Sequence, residues 1–313
     1  MQEKVHHVGI RVRERVKGRW ASTFGARRGD FFLGYLFVSP LVFLVLALIA
    51  YPLLYAVYIS MTQKYVGYPA RFIGLANYLY LLKDPIFHKV VQNSLVFTVG
   101  SVAAKIVLGM LMALALQKVV RGKNVLRGLL LLPWVVPTVI TALTWHWMFD
   151  GFRGLINLSL LRLGVISHYI PWLGQPATAM AAVMIANIWR GFPFFGVSFL
   201  AGMHAIPKDL YEAAEVDGAS ELQKFLRITI PGLKGVIVVT TLISTIFTLN
   251  DFNIVYVMTR GGPGTATHVF ATYTYEMGFQ ALRWGRAVAI SLSLLPLVAF
   301  LIVFLSRYLL REE

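Results

Sequence analysis

Six apolar stretches decide what this chain can fold into: residues 31–60, 94–117, 128–149, 177–203, 233–257 and 287–308. Crossing the hydrocarbon core of a bilayer takes about 20 residues of helix, and each stretch is that long or longer. Lipid offers backbone amides no water, so a chain of this kind crosses as helices that satisfy their own hydrogen bonds. The remaining composition agrees, with 58% hydrophobic and only 14% charged residues and a mean hydropathy of +0.68. The expected fold is all-α: a polytopic membrane protein with six transmembrane helices. Pro40 and Pro52 interrupt the first stretch and Pro133 and Pro137 the third, and helix breaks are expected there.

The formal net charge of +15 raises the question of nucleic acid, and its distribution answers it. Eight Lys and Arg crowd residues 1–30, four lie at Lys118, Arg121, Lys123 and Arg127, four at Lys208, Lys224, Arg227 and Lys234, and Arg307 and Arg311 close the chain. With the N-terminus inside, these eighteen are cytoplasmic, against nine in the outer segments. That bias is the positive-inside pattern, and it places both termini in the cytoplasm of a multi-pass protein of the cytoplasmic membrane. Residues 1–30 then read as a basic tail on anionic lipid, because no small-residue cleavage site follows it. The six-span domain follows over 31–313. There is no cysteine, so disulfides and thiolate metal sites are excluded.

Residues 204–232 are the polar interruption between the fourth and fifth spans. Pro207 suits a first helical turn, and Asp209, Glu212 and Glu215 sit where the helix dipole favours anions. Gly218 fits a left-handed helix stop. Ser220 with Gln223 makes a capping box for a second helix, which Leu222, Phe225 and Leu226 give an apolar stripe and which Pro231 is expected to end. The result is a helix–turn–helix elbow on the cytoplasmic side. By composition alone the stretch reads first as an amphipathic connector resting on lipid.

The pattern Glu212-Ala213-Ala214, Asp217-Gly218-Ala219, Phe225, Ile228 and Pro231 resembles the EAA loop of type I permease subunits in binding-protein-dependent ABC importers. The stretches AIPKDLYEAAEVDGA, ITIPGL, LLLLPWVVP, WRGFPFF and DFNIVYVMTRGGPGTAT are similar to the carbohydrate branch, in order and spacing. The resemblance covers about residues 31–308, with a core transmembrane region of about 90–308. It implies the type I importer permease fold, and a loop at 204–232 in which Glu212, Ala213, Ala214, Asp217, Gly218 and Phe225 couple to a cytoplasmic ATPase. It further implies an assembly with a second permease, two ATPase subunits and an extracytoplasmic solute-binding protein, in a bacterial or archaeal membrane.

No phosphate-cradling G-x-x-x-x-G-K-[ST] run is present. RGKN at 121–124 lacks both the spaced glycine and the following hydroxyl residue. ATP and magnesium are therefore assigned to the partner ATPase, with no cofactor, metal site or enzymatic chemistry expected in this chain.

Polar residues inside spans are expected on the solute path, since burying them in lipid is costly. Asn187, Arg190, Gly191 and Phe194 recur at i, i+3, i+4 and i+7 on one face of the fourth span, and Ser244, Phe247, Thr248 and Asp251 likewise on the fifth. The sugar-site helices of the maltose-type permease are similar at Asn187, Gly191, Ser244 and Phe247, and at Phe194 in aromatic character, whereas Arg190, Thr248 and Asp251 depart from it. Interhelical packing is the competing reading of these faces. Arg190 is expected to pair with Asp251, with Lys105 as the competing partner. The function expected is translocation of a mono-, di- or oligosaccharide. Glycerol 3-phosphate or a polyol is the alternative within the same machinery, and an ion-driven secondary transporter the distant one.

Overall fold

The computed structural model describes residues 28–118 and 122–310, so the basic tail up to Arg27, together with Arg121 and Arg311, lies outside the described residues. The described residues divide into two compact units, one ending at Tyr58 and the other beginning at Ile59.

In the first unit, helix α1 (Arg28–Val45) runs through Pro40, passes a five-residue π-helical turn (Leu46–Ala50) and continues as α2 (Tyr51–Ser60). Pro52 has no N–H, and a proline ring crowds the carbonyl four residues back. The widened turn just before it, where the Tyr51 N–H reaches the Leu46 carbonyl five residues back, gives that ring room. The expected break at Pro52 is thus a bulge in one continuous span, Gly34–Ser60.

The second unit opens with a short antiparallel hairpin, β1 (Thr62–Gln63) against β2 (Arg71–Phe72), with Thr62 opposite Phe72. Helix α3 (Ala76–Leu81) follows, then α4 (Pro85–Lys118), which begins nine residues before the apolar stretch expected at 94. The third stretch breaks at the second of its two prolines, as expected there. It is two helices, α5 (Lys123–Val135) and α6 (Thr138–Met148), bent by 90°. Val136 is extended, with φ −63° and ψ 132°, because the residue before a proline is pushed out of the helical region. Pro137 makes this break. Pro133 makes none, since α5 ends only two residues beyond it.

Helix α7 (Leu155–Arg162) leads to α8 (Pro176–Ala205), which matches the fourth stretch. The elbow comprises α9 (Lys208–Val216), α10 (Glu221–Lys224), a π-helical turn (Phe225–Thr229) and α11 (Ile230–Gly232). Pro231 does not end the second elbow helix. A widened turn precedes it at the same two-residue offset as at Pro52, and the 64° bend comes after Gly232. The fifth stretch also departs from a single span: α12 (Lys234–Leu249) stops, and α13 (Asn253–Thr259) resumes beyond Asp251. Helix α14 (Phe270–Tyr275), a π-helical turn (Glu276–Gln280), α15 (Trp284–Ser293) and α16 (Leu295–Leu310) complete the described residues. By length and composition, four helices among the described residues can cross a membrane, and up to six when each bent pair counts as one.

The core lies where α4 packs along α8, with Ala113, Leu116, Phe195, Phe199, Leu200 and Met203 in one buried cluster. A second cluster joins Phe97, Ala182, Val183 and Ala186 to Ile254, Val255 and Met258 of α13. The loop after α13 is held by Asn93, whose Nδ2 donates to the carbonyls of Thr265 and His268 at 2.8 and 3.1 Å. His268 Nε2 lies 2.8 Å from Glu276 Oε2, and burial pushes its pKa below the ordinary value despite the pull of that carboxylate. Asp150 is held below its usual range by the amides of Arg153 and Phe152 that it accepts, at 2.7 and 3.0 Å.

Asn157 pins the connection between α6 and α8. It is fully buried, its Nδ2 donates to the carbonyls of Gly151 and Ile170, and its Oδ1 accepts from the Ile170 amide and from Trp172 Nε1 at 2.9 Å. Asn157→Ala strands several buried polar groups at once. It is expected to cost about 2–4 kcal/mol, read as a lower thermal unfolding midpoint of the detergent-solubilised protein, and Trp172→Phe should cost less.

Candidate functional site

Two separate constructions carry the candidate functional residues. At the elbow, Gly218 has φ +76°, which only glycine adopts without strain. The Ala219 N–H bonds the Ala214 carbonyl at 2.9 Å and the Gly218 N–H bonds Glu215 at 3.0 Å, the two bonds of a Schellman stop. The second helix then starts on the expected capping box: Ser220 Oγ accepts from the Gln223 amide at 3.3 Å, and Gln223 Oε1 accepts from the Ser220 amide at 2.8 Å. Polar bonds thus define both sides of the turn.

Lys224 clamps the elbow. Its side chain is 8% exposed, and Nζ lies 2.6 Å from both Glu215 of α9 and Glu221 of α10. Tyr211 adds a hydroxyl contact of 2.9 Å to Thr229. Glu212, Ala213, Asp217 and Gly218 are exposed and Ala214 is half-buried. Phe225 is not on the same surface as Leu222 and Leu226. It packs inward against the α4–α8 cluster, while Leu222 and Leu226 stay exposed. The expected stripe is therefore divided: one ring roots the elbow in the core and two leucines face outward.

The second construction is a cavity of about 380 Å³ lined by all eight residues read from the two helical faces: Asn187, Arg190, Gly191 and Phe194 of α8, Ser244, Phe247 and Thr248 of α12, and Asp251 in the break beyond it. Lys105, Trp134, Thr138, Asn250, Phe252 and Asn253 complete the lining. Asp251 is positioned by the interruption itself. Its Oδ1 accepts from the Ile254 amide at the start of α13, and its Oδ2 accepts from Asn187 Nδ2 at 2.8 Å.

The expected ion pair is not formed. Neither Arg190 nor Lys105 comes within the 4.0 Å of Asp251 that defines a salt bridge. The Asn187 amide and the α13 backbone hold the carboxylate instead. Lys105, buried in α4, donates to Thr248 Oγ1 at 3.0 Å. It reaches the cavity across Gly191, where an added Cβ would fall 2.5 Å from Lys105 Cε. Arg190 Nε and Asn187 Oδ1 have no partner. Trp134 stacks on Phe194 at 6.3 Å and 23°, and Phe247 is 73% exposed.

The arrangement offers hydrogen-bond donors and acceptors beside broad aromatic faces, which suits a ligand that is polar at its rim and apolar on its faces. Lys105 had a signal in the sequence, as a lone cation within an apolar span. Trp134 had none beyond its place beside a proline.

Residues 105–311 match the model of the "Binding-protein-dependent transport system inner membrane component" family. The chain is 40% identical to the trehalose/maltose transport system permease protein MalF of Thermococcus litoralis, over 87% of this chain and 92% of that one. It is 36% identical to the sulfoquinovosyl glycerol transport system permease protein SmoG of Agrobacterium fabrum, over 90% and 91%. Among solved structures, the fold is similar to a chain of the bacterial alginate ABC transporter in complex with an alginate pentasaccharide-bound periplasmic protein. The TM-score is 0.76 at 23% identity, over 89% of this chain and 93% of that one. The fold is thus the type I importer permease fold, and the extent of the family match, like the identity to these relatives, makes this multi-pass membrane protein a member of the binding-protein-dependent transport system inner membrane components.

Proposed function

We propose that the chain is the permease subunit of an ATP-driven importer, and that its solute is a carbohydrate. The observation that carries the reading is the cavity, where seven polar and aromatic residues from α8, α12 and the break after it converge with Lys105 and Trp134. A pyranose presents hydroxyls around its rim and C–H groups on its faces, and the cavity offers partners for both. The sugar names of its relatives support the same class.

The elbow is the coupling element. ATP and magnesium are bound by a separate ATPase subunit, which docks on the exposed surface around Glu212, Ala213, Ala214, Asp217 and Gly218, with Phe225 as the internal root. Two such ATPases, a second permease and an extracytoplasmic solute-binding protein complete the assembly. The distribution of the basic segments supports a cytoplasmic elbow and cytoplasmic termini.

A second reading has one specific observation in its favour. Arg190 Nε is buried without a partner beside the cavity, and a guanidinium in that state suits an anionic group such as the phosphate of glycerol 3-phosphate. Uptake by the reconstituted assembly, competed with trehalose, maltose or glycerol 3-phosphate, separates the two.

Two outcomes are expected in vesicles carrying the whole assembly. Gly218→Leu forces a side chain into left-handed backbone at about 1–2 kcal/mol, and Glu212→Lys reverses a charge on the exposed face. Both should insert normally yet lose uptake while the ATPase still hydrolyses ATP; normal uptake by both would remove the coupling role. Asn187→Ala strips Asp251 of its side-chain donor and should lower uptake kcat/KM by about tenfold, with the amount of assembled complex unchanged.

A further inference from the structure

Four aromatic rings stand in contact at the end of the cavity away from the elbow. Phe252 stacks on Tyr256 at 4.7 Å and 18°, both rings meet Tyr275 at 5.0 and 4.9 Å, and Tyr275 stacks on Phe279 at 5.1 Å and 23°. Two i, i+4 pairs build the group, one on α13 and one running from α14 into the π-helical turn after it. Phe252 is also a wall of the cavity. The ladder is therefore continuous with the candidate solute site and leads from it to Phe279, which is 68% exposed.

These rings do not fill a core. Helix α13 buries Ile254, Val255 and Met258 on its other side, and α14 buries Phe270 and Tyr273. Both helices are anchored by aliphatic and aromatic side chains pointing away from the ladder, whose rings are left partly open. The next residue in the turn, Glu276, turns away toward His268. Each ring-to-ring step is close to the length of one pyranose, and two of the four rings carry a hydroxyl at the edge, an apolar body with a polar tip.

We infer that Phe252, Tyr256, Tyr275 and Phe279 form a stacking track that hands a sugar from the outer mouth to the cavity. A pyranose stacks its C–H face on one ring, exchanges hydroxyl contacts with the tyrosines, and moves to the next without ever being fully desolvated. Nonspecific stacking of this kind tolerates different sugars, leaving selection to the polar cavity below. The inference rests on the carbohydrate reading of that cavity.

The experiment uses the whole assembly in vesicles, with whichever of radiolabelled maltose, trehalose and lactose the unmodified complex accumulates. Phe279→Ala and Tyr275→Ala should each raise the KM of uptake about fivefold with a smaller change in kcat, while Phe279→Trp, which keeps a stacking face, should retain the low KM. A titration of the Phe279→Trp complex with the same sugar should change its fluorescence beyond that of the unmodified complex. Unchanged KM in both alanine variants, or alanine variants that lose assembled complex instead of affinity, would overturn the track and assign the rings to packing. Accumulation of none of the three sugars by the unmodified complex would overturn the carbohydrate reading, and the track with it.

Discussion

Inside a bilayer no solvent satisfies a broken backbone hydrogen bond, so every interruption of a spanning helix must be satisfied by the protein itself. This constraint sorts the interruptions in the chain into two kinds. At Pro52 the helix widens by one residue per bond and carries on; at Pro231 the π-helical turn sits at the same offset before the ring, and the helix runs only to the bend after Gly232. At Pro137 and at Asn250–Phe252 it stops and restarts. Both of those stops border the cavity: Trp134 and Thr138 flank the first, and Asn250, Asp251, Phe252 and Asn253 form the second. The polar site exists because the backbone is irregular there, and Asp251 satisfies both the freed Ile254 amide and the Asn187 side chain.

The same economy governs the charges. Three ionisable groups line the cavity, and direct pairing of opposite charges was the simplest expectation. The structure distributes them over neutral partners instead: Asp251 to an amide side chain and a backbone N–H, Lys105 to a threonine hydroxyl. A close ion pair would consume both partners, whereas this arrangement keeps the cavity polar with groups still able to turn toward a ligand. Asn187 Oδ1 and Arg190 Nε are left with bonding capacity.

The sequence made the spans and the two polar faces legible, and it did so for physical reasons. Long apolar runs report membrane helices directly, and the i, i+3, i+4, i+7 recurrence of Asn187 to Phe194, like the spacing of Ser244, Phe247 and Thr248, reports shared faces on straight helices, with Asp251 just past the end of the second. The elbow was readable because glycine and the Ser220–Gln223 box act locally. What hydropathy could not show were the bends, since an average over a window is blind to a 90° turn at Val136–Pro137. Nor could periodicity show that Phe225 turns inward while Leu222 and Leu226 stay out, because a π-helical turn begins at Phe225 and shifts the face. Lys105 is the one charge inside its apolar stretch, and its role depends on the small residue opposite it, Gly191, which only packing reveals.

Elbow and cavity share no residue, so on the proposed reading the energy of ATP must travel between them along something stiff. Helix α12 is the direct connection. It leaves the elbow at the 64° bend, runs sixteen residues from Lys234 to Leu249, about 24 Å at 1.5 Å per residue, and ends at the break that holds Asp251. Its Ser244, Phe247 and Thr248 line the cavity, and Thr248 is bonded to Lys105 on α4. On that reading the rod, unbroken from Lys234 to Leu249, would carry a rotation of the elbow toward the cavity wall. Lys224 serves the same end from below: by tying α9 to α10 through Glu215 and Glu221, it makes the elbow turn as one body, with Phe225 anchoring that body to the α4–α8 core.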